Sequence, residues 1–157
     1  MEGSRIHIVL AAYNGAPYLR EQLDSILANG RDDITIEICD DGSTDETVQI
    51  AREYEEKYEY IRVHENEKNL GYVKNFIEGI RRSQSPYIML CDQDDIWDAD
   101  KIARTMREME KLEQQYTKTG SMPLLVFTDA MIFDSETGRQ CGSFHEESHL
   151  DATKTDA

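Results

Sequence analysis

The hydrophobic residues of this chain fall into short apolar runs that alternate with amphipathic segments. Four runs have the length and composition of buried strands, and strands are predicted at 6–12, 34–39, 60–64 and 87–91. Further strands are predicted at 124–128 and 131–133. Apolar residues at helical spacing predict helices at 17–28, 44–58, 72–82 and 99–116.

Two local details of these helices can be predicted as well. Ser43 and Glu46 have the spacing of a capping box, which would start the second helix. In the third helix the apolar residues are expected to face the core; they are Val73, Phe76, Ile77 and Ile80.

Strands that alternate with helices are typical of an α/β protein with a mostly parallel sheet flanked by helices. In such a sheet all strands end at the same edge, and ligands bind beyond that edge. Polar residues follow three of the predicted strands, namely Tyr13-Asn14, Asp40-Asp41 and Asp92-Gln93-Asp94. We therefore expect these segments to share one edge of the sheet.

The segment after the fourth strand carries four acidic residues, Asp92, Asp94, Asp95 and Asp98. An Asp-x-Asp spacing suits a divalent cation with hard oxygen ligands, such as Mg2+ or Mn2+. The alternative is a loop of solvated acids in which Asp98 caps the next helix. Placement at the ligand-binding edge of the sheet favours the functional interpretation.

Composition excludes some kinds of ligand and indicates the cellular compartment. The 157 residues include 17 basic and 32 acidic side chains, for a formal charge of −15, which argues against nucleic acid or an anionic membrane as partner. An anionic ligand would need a bound metal to offset the repulsion. The three cysteines form no CxxC pair, no apolar run reaches transmembrane length, and the start does not resemble a signal peptide. These features predict a cytoplasmic protein, with peripheral contact at the inner membrane face left open.

Several nucleotide-binding and metal-binding classes lack their motifs here. The chain has neither GxGxxG nor GxxxxGK[ST], and the Asp92 segment is not an EF-hand. A response-regulator receiver would place its acids after strands one and three, whereas here they follow strands two and four. A sugar-phosphate nucleotidyltransferase would need a basic, Gly-rich loop after strand one, and 13–17 is not basic. A sugar-phosphate nucleotidyltransferase and a non-catalytic module that binds metal or nucleotide stay open as alternatives.

Four motifs in order carry a resemblance to a known family. The matching segments are 9–14, 39–45, 69–75 and 90–97, within about residues 5–135. Together they resemble the N-terminal, nucleotide-sugar-binding part of an inverting family 2 glycosyltransferase. The resemblance implies a Rossmann-like GT-A nucleotide-diphospho-sugar transferase fold, incomplete in this chain. The Asp-Gln-Asp-Asp-Ile-Trp form is similar to bacterial rhamnosyltransferase-like members that build surface polysaccharides.

The resemblance also implies an activity and its ligands. A metal-assisted enzyme would transfer a sugar from a nucleoside diphosphate sugar, UDP- or dTDP-linked, to a glycan or lipid-linked acceptor, with Mn2+ or Mg2+ as cofactor. The residues implied to bind the nucleotide are Ala11, Tyr13, Asp40, Asp41, Lys74 and Asp92. Asp94 is implied to ligate the metal. Because Asp41 follows a strand, its replacement by Ala is expected to weaken binding and leave the fold intact.

The family's catalytic base lies downstream of the metal motif, and no residue of this chain is assigned to that role. Asp129 and Asp134 come too early in the order to match it. We therefore expect residues 1–135 to form the nucleotide-sugar-binding part, and residues 136–157 to form an irregular tail of a domain that continues beyond this chain.

Overall fold

The computed structural model of the chain describes residues 4–116, 123–134 and 137–148. It divides the chain into two units, Met1–Lys101 and Ile102–Ala157. The elements of the first unit are β1 Ile6–Ala12, α1 Ala16–Leu27, β2 Ile34–Asp40, α2 Thr47–Lys57, β3 Ile61–Glu65, α3 Tyr72–Arg82 and β4 Tyr87–Asp92. They are followed by α4 Lys101–Tyr116, β5 Met131–Phe133, β6 Gln140–Ser143 and α5 Phe144–Ser148.

A four-stranded parallel sheet organises the first unit, in the order β3-β2-β1-β4. The central strand β1 pairs with β2 up to Ala12 and Asp40, and with β4 up to Ala11 and Asp92. The ends of these three strands are therefore neighbours at one edge. This arrangement confirms the parallel α/β sheet and the shared edge that the alternation of strands and helices predicts.

The core forms where apolar side chains of the sheet meet α1 and α2. Every residue of β1 is buried, as expected for a strand covered on both faces. The first two helices contribute one buried face each, including Leu19, Leu23, Ile26 and Ile50. Full burial of such a side chain contributes roughly 1.5–3 kcal/mol, so this core stabilises the scaffold beneath the strand ends.

Helix α3 packs on the sheet through its small residues, and the prediction of its inward face is wrong. Gly79 lies so close to the sheet that a Cβ atom there would be 2.4 Å from Val9 Cγ1 and 3.0 Å from Cys39 Sγ. Only Asn75 and Gly79 of this helix are buried. The predicted inward residues Val73, Ile77 and Ile80 are 52%, 40% and 37% exposed, because the close approach turns the glycine side of the helix toward the strands.

A polar cluster joins three elements of the first unit. His7 Nε2 lies 3.2 Å from Glu37 Oε2, and Arg82 Nε donates a hydrogen bond to Glu37 Oε1. Arg82 also donates from Nη2 to Cys39 Sγ at 3.3 Å. Burial raises the pKa of Glu37, but the hydrogen bonds from His7 and Arg82 outweigh that effect and lower the pKa overall. This cluster therefore holds Glu37 as a buried carboxylate.

The predictions fail in part of the second unit. Residues 123–130 form no strand, although 124–128 was predicted as one, whereas the strand predicted at 131–133 is confirmed as β5. The predicted irregular tail is wrong for 140–148, where β6 and α5 form. Strands β5 and β6 pair antiparallel; beside them Asp134 Oδ1 accepts a hydrogen bond from Thr137 N at 2.7 Å, and Gly138 has a φ of 65°. Residues 149–157 of that predicted tail lie outside the described residues.

Candidate nucleotide-binding site

A cavity of about 360 Å³ opens beyond the ends of β1, β2 and β4. Among the residues that line it are five that the sequence predicted, Ala11, Tyr13, Asp41, Asp92 and Asp94. The lining also includes residues that were not predicted, namely Ala12, Asn69, Gly71, Tyr72, Asn75 and Gln93. Two residues of the predicted set, Asp40 and Lys74, are not part of this lining.

Asp41 organises the loop that forms one wall of the cavity. Its Oδ1 accepts hydrogen bonds from Leu70 N at 2.8 Å and Asn66 Nδ2 at 2.9 Å, and its Oδ2 accepts one from Gly71 N at 2.8 Å. The residue is only 3% exposed. Contrary to the expectation from the sequence, the structure indicates that Asp41→Ala destabilises the fold. Its removal leaves Leu70 N and one N-H of Asn66 Nδ2 without an acceptor, and leaves Gly71 N with only Asn69 Oδ1 at 3.1 Å.

Asn75 continues this network from α3. Its Oδ1 accepts from Asn66 Nδ2 at 2.9 Å, and its Nδ2 donates to the carbonyl oxygen of Cys39 at 2.7 Å. Asn66 N in turn donates to the carbonyl oxygen of Asp40 at 2.9 Å. The wall is thus tied to the end of β2 by both backbone and side-chain hydrogen bonds.

Asp40 holds the turn that follows β2. Its Oδ2 accepts hydrogen bonds from Gly42 N at 3.0 Å and Ser43 N at 2.9 Å, and its Oδ1 accepts one from Ser43 Oγ. The residue is 1% exposed. Gly42 has a φ of 82°, a backbone conformation that favours glycine. In this structure Asp40 therefore shapes the turn next to the cavity.

The predicted capping box at α2 is wrong. The Ser43 hydroxyl is used by Asp40, and Glu46 makes no side-chain cap bond. Asp45 serves this helix start instead, because its Oδ1 accepts hydrogen bonds from Thr47 N at 3.0 Å and Thr47 Oγ1 at 2.5 Å. An Asp at this point is also favourable for the helix dipole.

The loops after β1 and β2 are joined through Asn14. Asn14 N donates to Ser43 Oγ at 2.9 Å, and Asn14 Oδ1 accepts from Thr44 N at 2.8 Å. Asn14 has a φ of 48°, which asparagine tolerates better than most residues. Gly15 N donates to Thr47 Oγ1 at 2.8 Å, which adds a second link.

The acidic loop, residues 92–98, contributes two carboxylates to the cavity, Asp92 and Asp94. Partial burial raises the pKa of the Asp92 carboxyl, and the adjacent carboxylate of Asp94 raises it further. Trp97 anchors the end of the loop: its ring is buried, its N donates to Ser25 Oγ of α1 at 2.9 Å, and Lys101 Nζ lies 5.3 Å from the ring centroid. The loop thus holds negative charge at the sheet edge on a fixed support.

Some of the missed lining residues left a signal in the sequence. One of the four segments that carry the family resemblance, 69–75, contains Asn69, Gly71 and Asn75, although the resemblance implies no role for these three residues. Gln93 lies between two predicted site residues, but it is the variable position of Asp-x-Asp, so the motif predicts no role for it. Nothing in the sequence pattern indicates that Tyr72 would line the cavity.

Comparison with known proteins identifies the class. The profile of the family described as "Glycosyl transferase family 2" matches residues 7–121, and this chain belongs to that family. The resemblance predicted from the four motifs is confirmed. No helix of the described residues is both long and apolar enough to cross a membrane.

Two of the similar proteins are named as bacterial glycosyltransferases. A dTDP-rhamnosyl transferase of Shigella flexneri is 40% identical over 98 residues, which is 59% of this chain and 34% of that protein. A putative teichuronic acid biosynthesis glycosyltransferase of Bacillus subtilis is 29% identical over 73% of this chain and 46% of its own length. The chain thus spans less than half of these relatives.

Solved structures confirm the GT-A fold. S. aureus TarS 1–349 in complex with UDP has a TM-score of 0.58 at 24% identity, over 72% of this chain and 33% of that one. The mannosyltransferase PcManGT of Pyrobaculum calidifontis, in complex with GDP-Man and Mn2+, has a TM-score of 0.62 at 23% identity, over 68% of this chain and 32% of that one.

Proposed function

We propose that this chain binds the nucleoside diphosphate sugar donor of a glycosyltransferase that builds a bacterial polysaccharide or related glycan. The observation that carries the proposal is that one cavity beyond β1, β2 and β4 has Asp41 on one wall and Asp92 and Asp94 on another. Membership of glycosyl transferase family 2 supports the same function.

Asp41 is proposed to accept a hydrogen bond from the N-H group of a uracil or thymine base. A carboxylate offers about four acceptor positions, and three of those of Asp41 are used by the loop. The remaining position lies on Oδ2, which accepts only from Gly71 N among the hydrogen bonds described. Ala11 and Tyr13 would line the base and ribose pocket, and Asp92 would approach the ribose.

We propose that a divalent cation binds next to the diphosphate. In the described part of the chain, no group of three His, Cys, Asp or Glu side chains could hold a metal by itself. Mg2+ and Mn2+ commonly take one or two carboxylates and complete their coordination with water and substrate phosphates. The hard oxygens of Asp94, beside Asp92, fit that donor set, and a bound cation would stabilise the charge of the departing diphosphate.

A bound cation would also explain how an acidic protein holds the anionic nucleoside diphosphate. None of the residues lining the cavity in the described structure is Arg or Lys, while the chain carries a formal charge of −15. Lys74 is exposed on α3, and it is proposed to meet the nucleotide from outside the lining. The lack of a basic lining argues against a nucleotidyltransferase, which handles a more highly charged triphosphate.

The donor is proposed to be UDP- or dTDP-linked, in keeping with the name of the Shigella flexneri relative. Calorimetric titration with UDP, dTDP and GDP, each with and without Mn2+, tests the proposal. We expect UDP or dTDP to bind more tightly than GDP and to depend on Mn2+. Failure of all three nucleotides to bind in the presence of Mn2+ would remove the proposed function.

A further inference from the structure

Gln93, the middle residue of Asp92-Gln93-Asp94, makes a pair of hydrogen bonds to the backbone of Tyr13. Tyr13 N donates to Gln93 Oε1 at 2.8 Å, and Gln93 Nε2 donates to the carbonyl oxygen of Tyr13 at 3.1 Å. A primary amide matches a peptide group in offering one acceptor next to a donor. The oxygen and the nitrogen of the Gln93 amide therefore both form hydrogen bonds with the backbone of one residue in another loop.

The position of this pair extends the pairing of β1 with β4. The parallel ladder between these strands ends at Ala11 and Asp92. Beyond it the Gln93 side chain supplies hydrogen bonds to Tyr13 that a neighbouring strand would otherwise supply. The amide thus links the loop that carries Asp94 to the loop that lines the cavity with Tyr13, across 80 positions of sequence.

Gly15 provides the space for this amide. A Cβ atom on Gly15 would lie 2.0 Å from Gln93 Oε1 and 2.3 Å from Gln93 Cδ, so any side chain there would displace the Gln93 amide. The φ of Gly15 is −106°, a value that every L-residue adopts, so the backbone itself does not require glycine. Room for the Gln93 side chain is therefore a physical reason for glycine at this position.

We propose that Gln93 is a positioning residue that holds the Asp92-Asp94 carboxylates in register with Tyr13, and that Gly15 is its required small neighbour. The proposal rests on the proposed nucleotide-binding function. Gln93 acts through the residues on either side of it, since its own amide is occupied by Tyr13. Groups that hydrogen-bond a metal ligand typically change metal affinity by about 10–100-fold when they are removed. Gln93 holds the backbone that carries the carboxylates, so we expect an effect at the lower end of that range.

The link itself is tested by amide hydrogen exchange of Tyr13, followed by NMR without any ligand. In Gln93→Ala and in Gly15→Ala we expect the Tyr13 amide to exchange roughly tenfold faster, because its acceptor is removed or displaced. Gln49→Ala, which replaces an exposed glutamine of α2, is the matched control and should leave Tyr13 unchanged. Unchanged exchange of Tyr13 in Gln93→Ala would overturn the proposal.

The double variant separates a shared mechanism from two unrelated ones. Once Gln93 is truncated, a methyl group on Gly15 no longer meets its amide, so the exchange rate of Tyr13 in Gln93→Ala/Gly15→Ala should equal that of Gln93→Ala. Additive effects of the two substitutions would mean that Gly15 acts on Tyr13 independently of Gln93, and would overturn the role assigned to Gly15.

The positioning role is tested by titration of the same variants with UDP and dTDP, with and without Mn2+. We expect Gln93→Ala to lose about tenfold in affinity with Mn2+ and much less without it. Faster Tyr13 exchange with unchanged Mn2+-dependent affinity would show a purely structural link and overturn the positioning role. If the wild-type chain binds neither nucleotide, the proposed function fails and the positioning role fails with it, whereas the Tyr13 exchange result still decides the link.

Discussion

Asp41→Ala should destabilise the first unit, because this carboxylate is the acceptor for three separate donors. Leu70 N and Gly71 N would lose partners at 2.8 Å, and Asn66 Nδ2 would lose one at 2.9 Å. A buried donor left unsatisfied costs about 1–3 kcal/mol. Gly71 N keeps a second acceptor, Asn69 Oδ1 at 3.1 Å. Because the loop can relax and admit water, we expect a loss at the lower end for the two remaining donors, about 2 kcal/mol in all.

Equilibrium unfolding in urea, followed by circular dichroism, measures this loss. Asp41→Asn keeps one oxygen acceptor and should lose less stability than Asp41→Ala. Asp32→Ala, which removes an exposed carboxylate before the start of β2, is the control and should change the free energy of unfolding by less than about 0.5 kcal/mol. Equal stability of Asp41→Ala and Asp32→Ala would refute the hydrogen-bond network described here.

Two further substitutions test the packing of α3 and the buried carboxylate beneath it. Gly79→Ala should lower the free energy of unfolding in urea by about 1–3 kcal/mol, because the new methyl group would meet Val9 Cγ1. The double variant with Val9→Ala should lose less stability than the sum of the two single losses. Simple additivity of the losses would contradict this contact. The pKa of Glu37 is lowered in the folded protein, so its contribution to stability is present above its unfolded pKa of about 4.5 and is lost as the pH falls through the folded pKa. Glu37→Gln should therefore flatten the fall in stability between about pH 5 and pH 3, and an unchanged slope would show that Glu37 does not titrate with folding.

The sheet and the location of the site could be predicted because both follow from local patterns. The buried runs that became β1, β2 and β4 are apolar, and their polar ends are visible in the sequence. Parallel pairing then brings Asp41, Asp92 and Asp94 to one edge without further information.

The inner face of α3 and the use of Gln93 could not be predicted in the same way. Apolar periodicity pointed to Ile77 and Ile80 as the buried side of α3, but the closest packing is made by Gly79. A glycine inside a helix costs stability unless packing requires it, so Gly79 was an available signal. The hydrogen bonds of Gln93 and Asp41 depend on which backbone groups lack a strand or helix partner after folding, and local pattern does not contain that information.

The central claim is that Asp94 binds a divalent cation that holds a nucleoside diphosphate in the cavity. The most direct test is calorimetric titration of the wild-type chain and Asp94→Asn with UDP or dTDP in the presence and absence of Mn2+, with Asp32→Asn as the control. We predict that Asp94→Asn lowers the Mn2+-dependent affinity at least tenfold, which corresponds to about 1.4 kcal/mol, while the control binds like wild type. Equal Mn2+-dependent affinity of Asp94→Asn and wild type would contradict the assignment of this carboxylate to the metal.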